Sequence, residues 1–456
     1  MTDAPAGDGT DRPLDSADLV APDDVVAEAA AMTDAALEWN RDNLEEYDPT
    51  IWEDRQKRHA RRKAFGELAM VVQALDGMSD HDLLDPIVNH VVETANDRRY
   101  YELAARRPRG ITQFGYPFAL AVGHDRLGSD AEAVLERTME NQTPWAAERY
   151  PFTELDVHHL LCHLGYDSPY DPDDVLAFSN AATPPNFVRT QRRQLYALTH
   201  DVFFYTNFGV PDERFPDTTV PFDLSTTLTG LALRFMAADD PDAVTELLLT
   251  GLIQRQLSPG FARVVFSWLR QIADGGTLPG SGVRDATASP DQQLEGPDPD
   301  ALGDWNEDSK TWFRDYHTVV ISMPCFVRLQ RDWDVLREEA PTRSLDHDDQ
   351  ENLDQLLQLG KLIELLSEYK LTDAAPLMES LAGTPVARAY DDVFEACASF
   401  LRDQRTPDGH VGFFPDERHL FVAKGGSPEE FEEKLRDPCT EQCERALEAV
   451  ERSLEE

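Results

Sequence analysis

The sequence predicts an all-α protein, and three observations lead to that prediction. Apolar residues recur at three- and four-residue spacing through most of the 456 residues, which is the period of an amphipathic helix. No convincing set of segments shows the two-residue alternation of half-buried strands. Several helical runs end in a short polar turn with glycine, the residue that most readily takes the left-handed conformation after a helix.

The amphipathic runs extend from near the first residues to the last. We expect helices over 24–42, 52–75, 80–106, 130–141, 187–206, 222–238, 241–257, 260–273, 310–331, 349–369, 386–403 and 428–454. The run at 130–141 follows the capping residue Ser129, and the run at 241–257 begins with Pro241-Asp242, a typical first turn.

Two stretches, 266–276 and 400–414, share a helix end in Gln or Arg that is followed by Asp-Gly and a further Gly. This pattern is similar to the hairpin-closing turn of α/α-toroid proteins such as terpene cyclases, in which helix pairs surround a central cavity. We therefore expect an α/α toroid-like array of helical hairpins. An irregular helical bundle and an open α-solenoid are the alternatives, because a degenerate repeat gives similar signals in either.

The chain divides into a tail and one large domain. Residues 1–22 are acidic, small and Pro/Gly-bearing, so we expect a disordered acidic tail. Residues 23–456 form, on this interpretation, a single large helical domain. Its longest irregular stretch, at about 276–309, is rich in Gly, Pro, Ser and Asp, and we expect a flexible insertion there.

The net charge of the chain is evidence about its solvent and habitat more than about its binding partners. The 86 acidic and 42 basic residues give a formal charge of −44, which argues against nucleic acid because phosphate affinity comes from Lys and Arg. Only seven of the basic residues are lysines, and a surface so rich in carboxylates resembles cytosolic proteins of salt-accumulating haloarchaea. No apolar run long enough to cross a membrane, no signal peptide and no disulfide framework are visible, so we expect a cytoplasmic protein without a membrane partner.

Two segments place polar side chains within apolar helices. Buried polar groups cost free energy unless they are paired, so these residues belong either to a functional site or to a structural network. If the two helices face one cavity, the candidate catalytic residues are His200, His317, Asp201 and Asp315, with one histidine as general acid or base. The candidate ligand-binding residues are Tyr205, Tyr316, Asn207 and Thr318.

The same segments resemble an uncharacterised helical domain family of actinobacteria and haloarchaea. Its members carry the phrases Y-x-L-T-H-x-x-F-Y-x-T-D-F-G and Y-H-T-T. The matching residues are Tyr196, Leu198, Thr199, His200, Phe203, Phe204, Thr206, Phe208, Gly209, Tyr316, His317 and Thr318. Asn207 stands where the phrase has Asp, which removes a carboxylate. The resemblance covers roughly 60–405 and implies an all-helical, toroid-like fold without an established activity.

Other motifs are weaker. His159 and His163 share a helix face and are weak metal candidates, but no third and fourth ligand accompanies them, so we expect no metal or other cofactor. Asp171-Pro172-Asp173-Asp174 matches the D-x-D-D of class II terpene cyclases, but an acid-rich chain produces this pattern by chance, and the cap of a helix that follows Pro172 is the better explanation. Six cations within 55–63 predict an ion-pair face rather than a nucleic-acid contact, because no reader motif adjoins them.

The sequence leaves two functional interpretations. In the first, a cytosolic helical protein binds or transforms an organic or peptide ligand in a central cavity. In the second, it is a non-catalytic scaffold for protein partners. P-loop, Rossmann glycine and G-x-S-x-G motifs do not occur in a suitable context, so nucleotide-dependent chemistry of those types is not expected. Whether the protein is an enzyme is left open.

Overall fold

A computed structural model describes residues 14–50, 55–107, 110–140, 148–210, 213–216, 219–280, 307–340, 343–413 and 417–455. These residues form helices joined by turns, with two isolated β-bridges and no β-strand among them. The predicted all-α fold class is therefore confirmed. The closed ring of a toroid stays a prediction.

Twenty α-helices lie in the described residues. They are α1 (Val25–Asp42), α2 (Arg55–Asp76), α3 (Leu84–Ala95), α4 (Arg98–Ala105), α5 (Ile111–Gly123), α6 (Ser129–Glu140), α7 (Pro151–Leu164), α8 (Pro172–Leu176), α9 (Arg192–Tyr205), α10 (Ser225–Ala237), α11 (Pro241–Gln254), α12 (Pro259–Ile272), α13 (Glu307–Glu339), α14 (Gln350–Ser367), α15 (Leu371–Leu381), α16 (Pro385–Ala389), α17 (Asp391–Asp403), α18 (Arg418–Ala423), α19 (Pro428–Phe431) and α20 (Asp437–Glu455).

Capping side chains start many of these helices. Ser258 accepts a hydrogen bond from the backbone of Phe261 at the start of α12, and Asp349 caps α14 in the same way. Asp171 accepts from the backbone of Asp173 and Asp174 at the start of α8. The D-x-D-D match is therefore a helix cap in this fold.

The apolar side chains form two clusters that α1 and α13 connect. One cluster joins α2 to α6 with the first half of α13. The other joins α9 to α12 with the second half of α13, α14 to α17 and α20. Within the second cluster α11 packs against α9, α10 and α13, and all its residues are buried.

The amphipathic pattern predicts no helix over α5 or α7, yet the structure has both. Almost every residue of α5 from Phe114 to Ala121 is buried, and so is every residue of α7 from Val157 to Leu164. A helix that is buried on all sides has no polar face, so its sequence lacks the period that identifies a surface helix. A search for amphipathic runs therefore does not detect α5 and α7.

Parts of the expected tail and insertion are packed against helices. Leu14 and Val20 are buried, and the Trp333 indole donates to the carbonyl of Pro22 across 2.9 Å. At the other stretch, Leu278 is buried and the backbone of Gly280 donates to a side chain of α13. Residues 1–13 and 281–306 lie outside the described residues, so a disordered tail, a flexible insertion and a single domain stay predictions.

None of the described helices is both long enough and apolar enough to cross a lipid bilayer.

Candidate functional site

Two carboxylates lie inside the buried helix α11. Asp242 and Glu246 are one helical turn apart, so their side chains leave the helix on the same face. Asp242 is 5% exposed and Glu246 is 0% exposed. Carboxylates this deeply buried need partners, and those partners come from α9 and α13.

Asp242 has all its acceptor positions occupied. Its Oδ1 atom accepts from Nδ1 of His317 across 2.7 Å and from the Thr318 hydroxyl across 3.1 Å. Its Oδ2 atom accepts from the Tyr196 hydroxyl across 2.5 Å and from the Arg192 guanidinium across 3.3 Å. With these four hydrogen bonds, Asp242 fixes the orientation of the side chains around it.

Glu246 is only half satisfied. Its Oε2 atom accepts a hydrogen bond from the Thr199 hydroxyl. Its Oε1 atom has no hydrogen-bond partner among the described residues. The nearest imidazole nitrogens are Nε2 of His200 and Nε2 of His317, each 3.9 Å from Oε1. Two imidazole nitrogens thus approach the same carboxylate oxygen, and neither is within hydrogen-bond distance of it.

Both histidines are accessible from outside. The side chain of His200, on α9, is 27% exposed, and that of His317, on α13, is 25% exposed. The Tyr196 ring lies 6.1 Å from the His200 ring and 6.3 Å from the His317 ring, between centroids. A molecule that approaches from solvent therefore meets the two imidazoles before it meets Glu246.

The pKa values of the ionisable groups in the cluster are shifted in different directions. Burial alone would raise the pKa of Asp242, but the charge and hydrogen bond of His317, with Arg192, hold it well below its ordinary value. Burial would lower the pKa of His317, and Asp242 reverses this so that the pKa is raised. Burial, together with the charge of Asp242, raises the pKa of Glu246 to about 8. The cluster therefore favours an Asp242–His317 ion pair, and Glu246 releases its proton less readily than an exposed glutamate does.

His200 has the opposite shift to His317. Burial, with the positive charges of His317 and Lys63, lowers the pKa of His200 below its ordinary value. His200 is therefore neutral at pH 7 and keeps a lone pair on its ring. Titratable groups whose pKa values are driven apart within one cluster are typical of acid–base and metal sites.

The rim of the cluster carries charged groups and aromatic rings. Tyr316 donates its hydroxyl to Glu67 across 3.0 Å, and Lys63 lies 3.4 Å from the same carboxylate. On the other side the Phe152 ring lies 6.0 Å from the His200 ring, and the Tyr150 ring lies parallel to Phe152 at 6.3 Å. Tyr150 is 59% exposed, so a series of rings leads from solvent to His200.

Two cavities that are lined by described residues lie elsewhere. One of about 420 Å³ is lined by residues that include Glu46, Arg61 and His90, and one of about 220 Å³ by residues that include Asp34 and His81. Neither has His200, Glu246 or His317 in its lining. We regard the side-chain cluster as the better candidate site, because its unpaired buried carboxylate needs a partner, whereas the charged groups Glu46 and Arg61 already pair with each other.

The structure brings together some of the residues that the sequence singles out. His200, His317 and Thr318 belong to the cluster, and Tyr316 lies at its rim. Asp201 faces away from it and accepts from the backbone of Ala181 across 3.3 Å.

The remaining predicted residues are also held away from the cluster. Asp315 binds the backbone of Gly280 and the guanidinium of Arg314. Tyr205 donates to Asp173 on α8 across 2.8 Å. None of these contacts involves the two histidines, so Asp315 and Tyr205 have structural partners of their own.

Asn207 instead lies between the two histidines that were weak metal candidates. Its Oδ1 atom is 3.0 Å from Nε2 of His159 and 3.0 Å from Nε2 of His163. The backbone of Asn207 has φ 51°, a conformation that Asn tolerates better than most residues. The amide thus occupies the position between the rings that an ion would need.

The basic segment is tied to the protein by ion pairs and hydrogen bonds. Arg61 contacts Glu46 at 2.5 Å, and Arg62 donates to the carbonyl of Pro49 across 3.2 Å. Lys63 pairs with Glu67, as described above. These contacts favour the ion-pair interpretation; the side chains of 55–57 lie outside the described residues.

Asp242 and Glu246 were not predicted as site residues. Asp242 follows Pro241 in the first turn, where an acidic residue commonly interacts with the helix dipole. The available signal was a helix that is apolar apart from two carboxylates four residues apart, PDAVTELLLTGLIQ.

A family model described as a domain of unknown function, DUF6895, matches residues 33–324. No curated protein and no solved structure matches the chain.

Proposed function

The chain belongs to the DUF6895 family, and we propose that it binds and transforms a small oxygen-bearing organic ligand at His200, Glu246 and His317. The single observation that carries the proposal is the buried Oε1 atom of Glu246, which faces both accessible imidazoles without a hydrogen-bond partner. All residues of the cluster lie within 33–324, so the site belongs to the part of the chain that defines the family.

The rim supports an organic ligand with a planar, unsaturated part. Tyr150, Phe152 and His200 form a continuous series of rings, and the Arg193 guanidinium lies 4.7 Å above the exposed Tyr150 ring. Planar groups stack on such rings, and the stacking is worth about 0.5–1.5 kcal/mol per pair. A planar ligand lying against Phe152 brings its polar end to His200.

The cluster offers complementary hydrogen-bonding groups to that polar end. The pKa values of His317 and Glu246 are raised, so each holds its proton more firmly than usual, whereas the lowered pKa of His200 leaves a lone pair on its ring. A ligand oxygen such as a carbonyl or carboxylate can accept from the first two, and a ligand hydroxyl can donate to the third. This arrangement supports the general acid–base role proposed for the histidines.

The alternative is a non-catalytic scaffold for protein partners, and one observation favours it. Phe178 is 85% exposed, as expected for an anchor in a protein–protein contact. A scaffold role explains the cluster as a structural network. It does not explain why the buried Oε1 atom of Glu246 has no hydrogen-bond partner among the described residues.

Saturation-transfer NMR on the full chain in concentrated KCl tests the proposal. The probes are 4-hydroxybenzoate, benzoate and cyclohexanecarboxylate. We expect binding of the two aromatic probes, at least tenfold weaker binding in His200→Ala and Phe152→Ala, and weak or no binding of the saturated probe. The matched controls are His81→Ala, since His81 is also 27% exposed but pairs with Asp34, and Phe178→Ala.

The scaffold alternative predicts a different result. His200→Ala and His317→Ala then lower the melting temperature without changing the binding of any probe. Equal probe binding by the wild type and His200→Ala would overturn the proposal of a ligand site.

We also propose that the protein works in the concentrated salt of a cytoplasm. The formal charge of −44 and the presence of only seven lysines support this habitat.

A further inference from the structure

We propose that His200, Glu246 and His317 together hold a divalent transition-metal ion, with zinc as the ion that best fits this donor set. The inference rests on the proposed function and changes one step of it: when the ion is bound, His200, Glu246 and His317 are its ligands, and the ion, in place of their protons, meets the ligand oxygen. It assigns a cofactor that neither the family match nor the sequence motifs indicate.

The first argument is the convergence of unused donor atoms. Nε2 of His200 and Nε2 of His317 are each 3.9 Å from Oε1 of Glu246. Glu246 is 0% exposed and this oxygen has no hydrogen-bond partner among the described residues. A buried carboxylate oxygen without a hydrogen-bond partner in the protein costs free energy, and a cation bound between it and the imidazoles removes that cost.

The second argument is the set of residues that orient these donors. Asp242 binds Nδ1 of His317 and leaves Nε2 to face Glu246, which is the carboxylate–histidine arrangement common around metal ions. Thr199 binds Oε2 of Glu246 and leaves Oε1 in the same way. Asp242 lies within 4.8 Å of Glu246 and His317, but its oxygens already accept four hydrogen bonds. We therefore assign Asp242 as a positioning residue and not as a ligand.

The third argument is the identity and spacing of the donors. Two histidines and one glutamate are a ligand set of catalytic zinc sites, in which a fourth position stays open for water or substrate. Zinc lies about 2.1 Å from such atoms, so two ligands at a tetrahedral angle are about 3.4 Å apart. Each histidine nitrogen lies 3.9 Å from Oε1 and reaches this distance with a side-chain movement of about half an ångström. The donors that lie within 4.8 Å of one another are those of Asp242, Glu246 and His317, so His200 also has to turn toward His317 to complete the site.

Positive charges near the cluster are already paired. Lys63 lies beside Glu67, and Arg192 lies beside Asp240 and Asp242. The exposed edges of His200 and His317 give an ion a path from solvent. The open side of the ion would then face the series of aromatic rings.

Titration of the chelator-treated full chain with Co²⁺, followed by visible absorption, tests the inference, and competition with Zn²⁺ gives the zinc affinity. We expect one cobalt ion per chain with an absorption band of a four- or five-coordinate site. Glu246→Gln and His200→Ala should each weaken cobalt binding at least 100-fold. Asp242→Asn should weaken it about 10- to 100-fold, and His81→Ala should leave it unchanged.

His200→Ala is the safer variant for folding, because His200 is partly exposed whereas Glu246 is fully buried. Absence of a cobalt band in the wild type, or unchanged affinity in a folded His200→Ala chain, would overturn the inference. The proposed function fails separately: a wild-type chain that binds 4-hydroxybenzoate through His200 but takes up no cobalt refutes the metal and keeps the ligand site. Chain that binds cobalt but no aromatic probe keeps the metal and refutes the ligand class.

Discussion

Asp242 accepts a 2.7 Å hydrogen bond from Nδ1 of His317, and this contact joins the first turn of the buried helix α11 to an accessible imidazole on α13. Both partners are charged at neutral pH, since each shifts the pKa of the other toward its ionised form. The pair therefore links the stability of the fold to the geometry of the site.

Asp242→Asn should destabilise the protein by about 2 to 4 kcal/mol, because it leaves the charges of His317 and Arg192 without their carboxylate. Guanidinium or urea unfolding at fixed high KCl measures the change. Asp23→Asn is the matched control, since the Asp23 side chain is 93% exposed, and it should shift the free energy of unfolding by less than about 0.5 kcal/mol. A loss for Asp242→Asn no larger than for the control would contradict the role of the pair.

The sequence predicted the features that depend on residues close together along the chain. Helical periodicity predicted the fold class, and polar residues in apolar helices pointed to His200, His317 and Thr318, which the structure brings together. Asp201 and Asp315 leave their helices in other directions and are held there by the backbone of Ala181 and of Gly280. These partners come from distant loops, so the sequence pattern did not reveal them.

The packing of distant helices was not accessible to such reasoning. Glu246 belongs to the site only because α9 and α13 both lie against α11. Within its own helix it resembles an ordinary acidic residue in a chain with 86 of them. Its burial, and not its type, distinguishes it.

Asp201→Asn should leave cobalt and probe binding within about twofold of the wild type, whereas His200→Ala removes both. Asp201 is buried and its pKa is raised to about 7 by burial, against hydrogen bonds from the 179–181 turn that lower it. An amide keeps an acceptor for that turn, so the free energy of unfolding should change by no more than about 1 kcal/mol. A tenfold loss of cobalt affinity in Asp201→Asn would place this residue in the site after all.

His347 should make the fold sensitive to acid. Its side chain contacts the Tyr390 hydroxyl through Nε2 across 2.8 Å and is 5% exposed. Burial, followed by the charge of Arg263, lowers its pKa to about 4. Between the unfolded pKa of about 6.5 and this value only the unfolded chain binds the proton, so stability present above pH 6.5 is lost as the pH falls toward 4.

The expected slope from His347 is about 1.4 kcal/mol per pH unit in that window. Urea unfolding of the wild type and His347→Gln from pH 7 to pH 4 measures it as the difference between the two curves, which cancels the titration of the many carboxylates. Parallel curves would show that His347 takes up its proton equally in both states.

The stability of the chain should depend strongly on salt. A formal charge of −44 gives large self-repulsion in dilute buffer, whereas at about 1 M salt the Debye length is only about 3 Å. Buried pairs such as Asp242–His317 are screened much less, so the effect comes from the surface.

Scanning calorimetry in KCl from about 0.1 to 2 M should show a rise in melting temperature of at least about 10 °C, steepest at low salt where screening changes most. An equal concentration of sucrose, which raises stability by exclusion without screening, is the control. A melting temperature that stays flat in KCl, or that rises equally in sucrose, would contradict a surface adapted to concentrated salt.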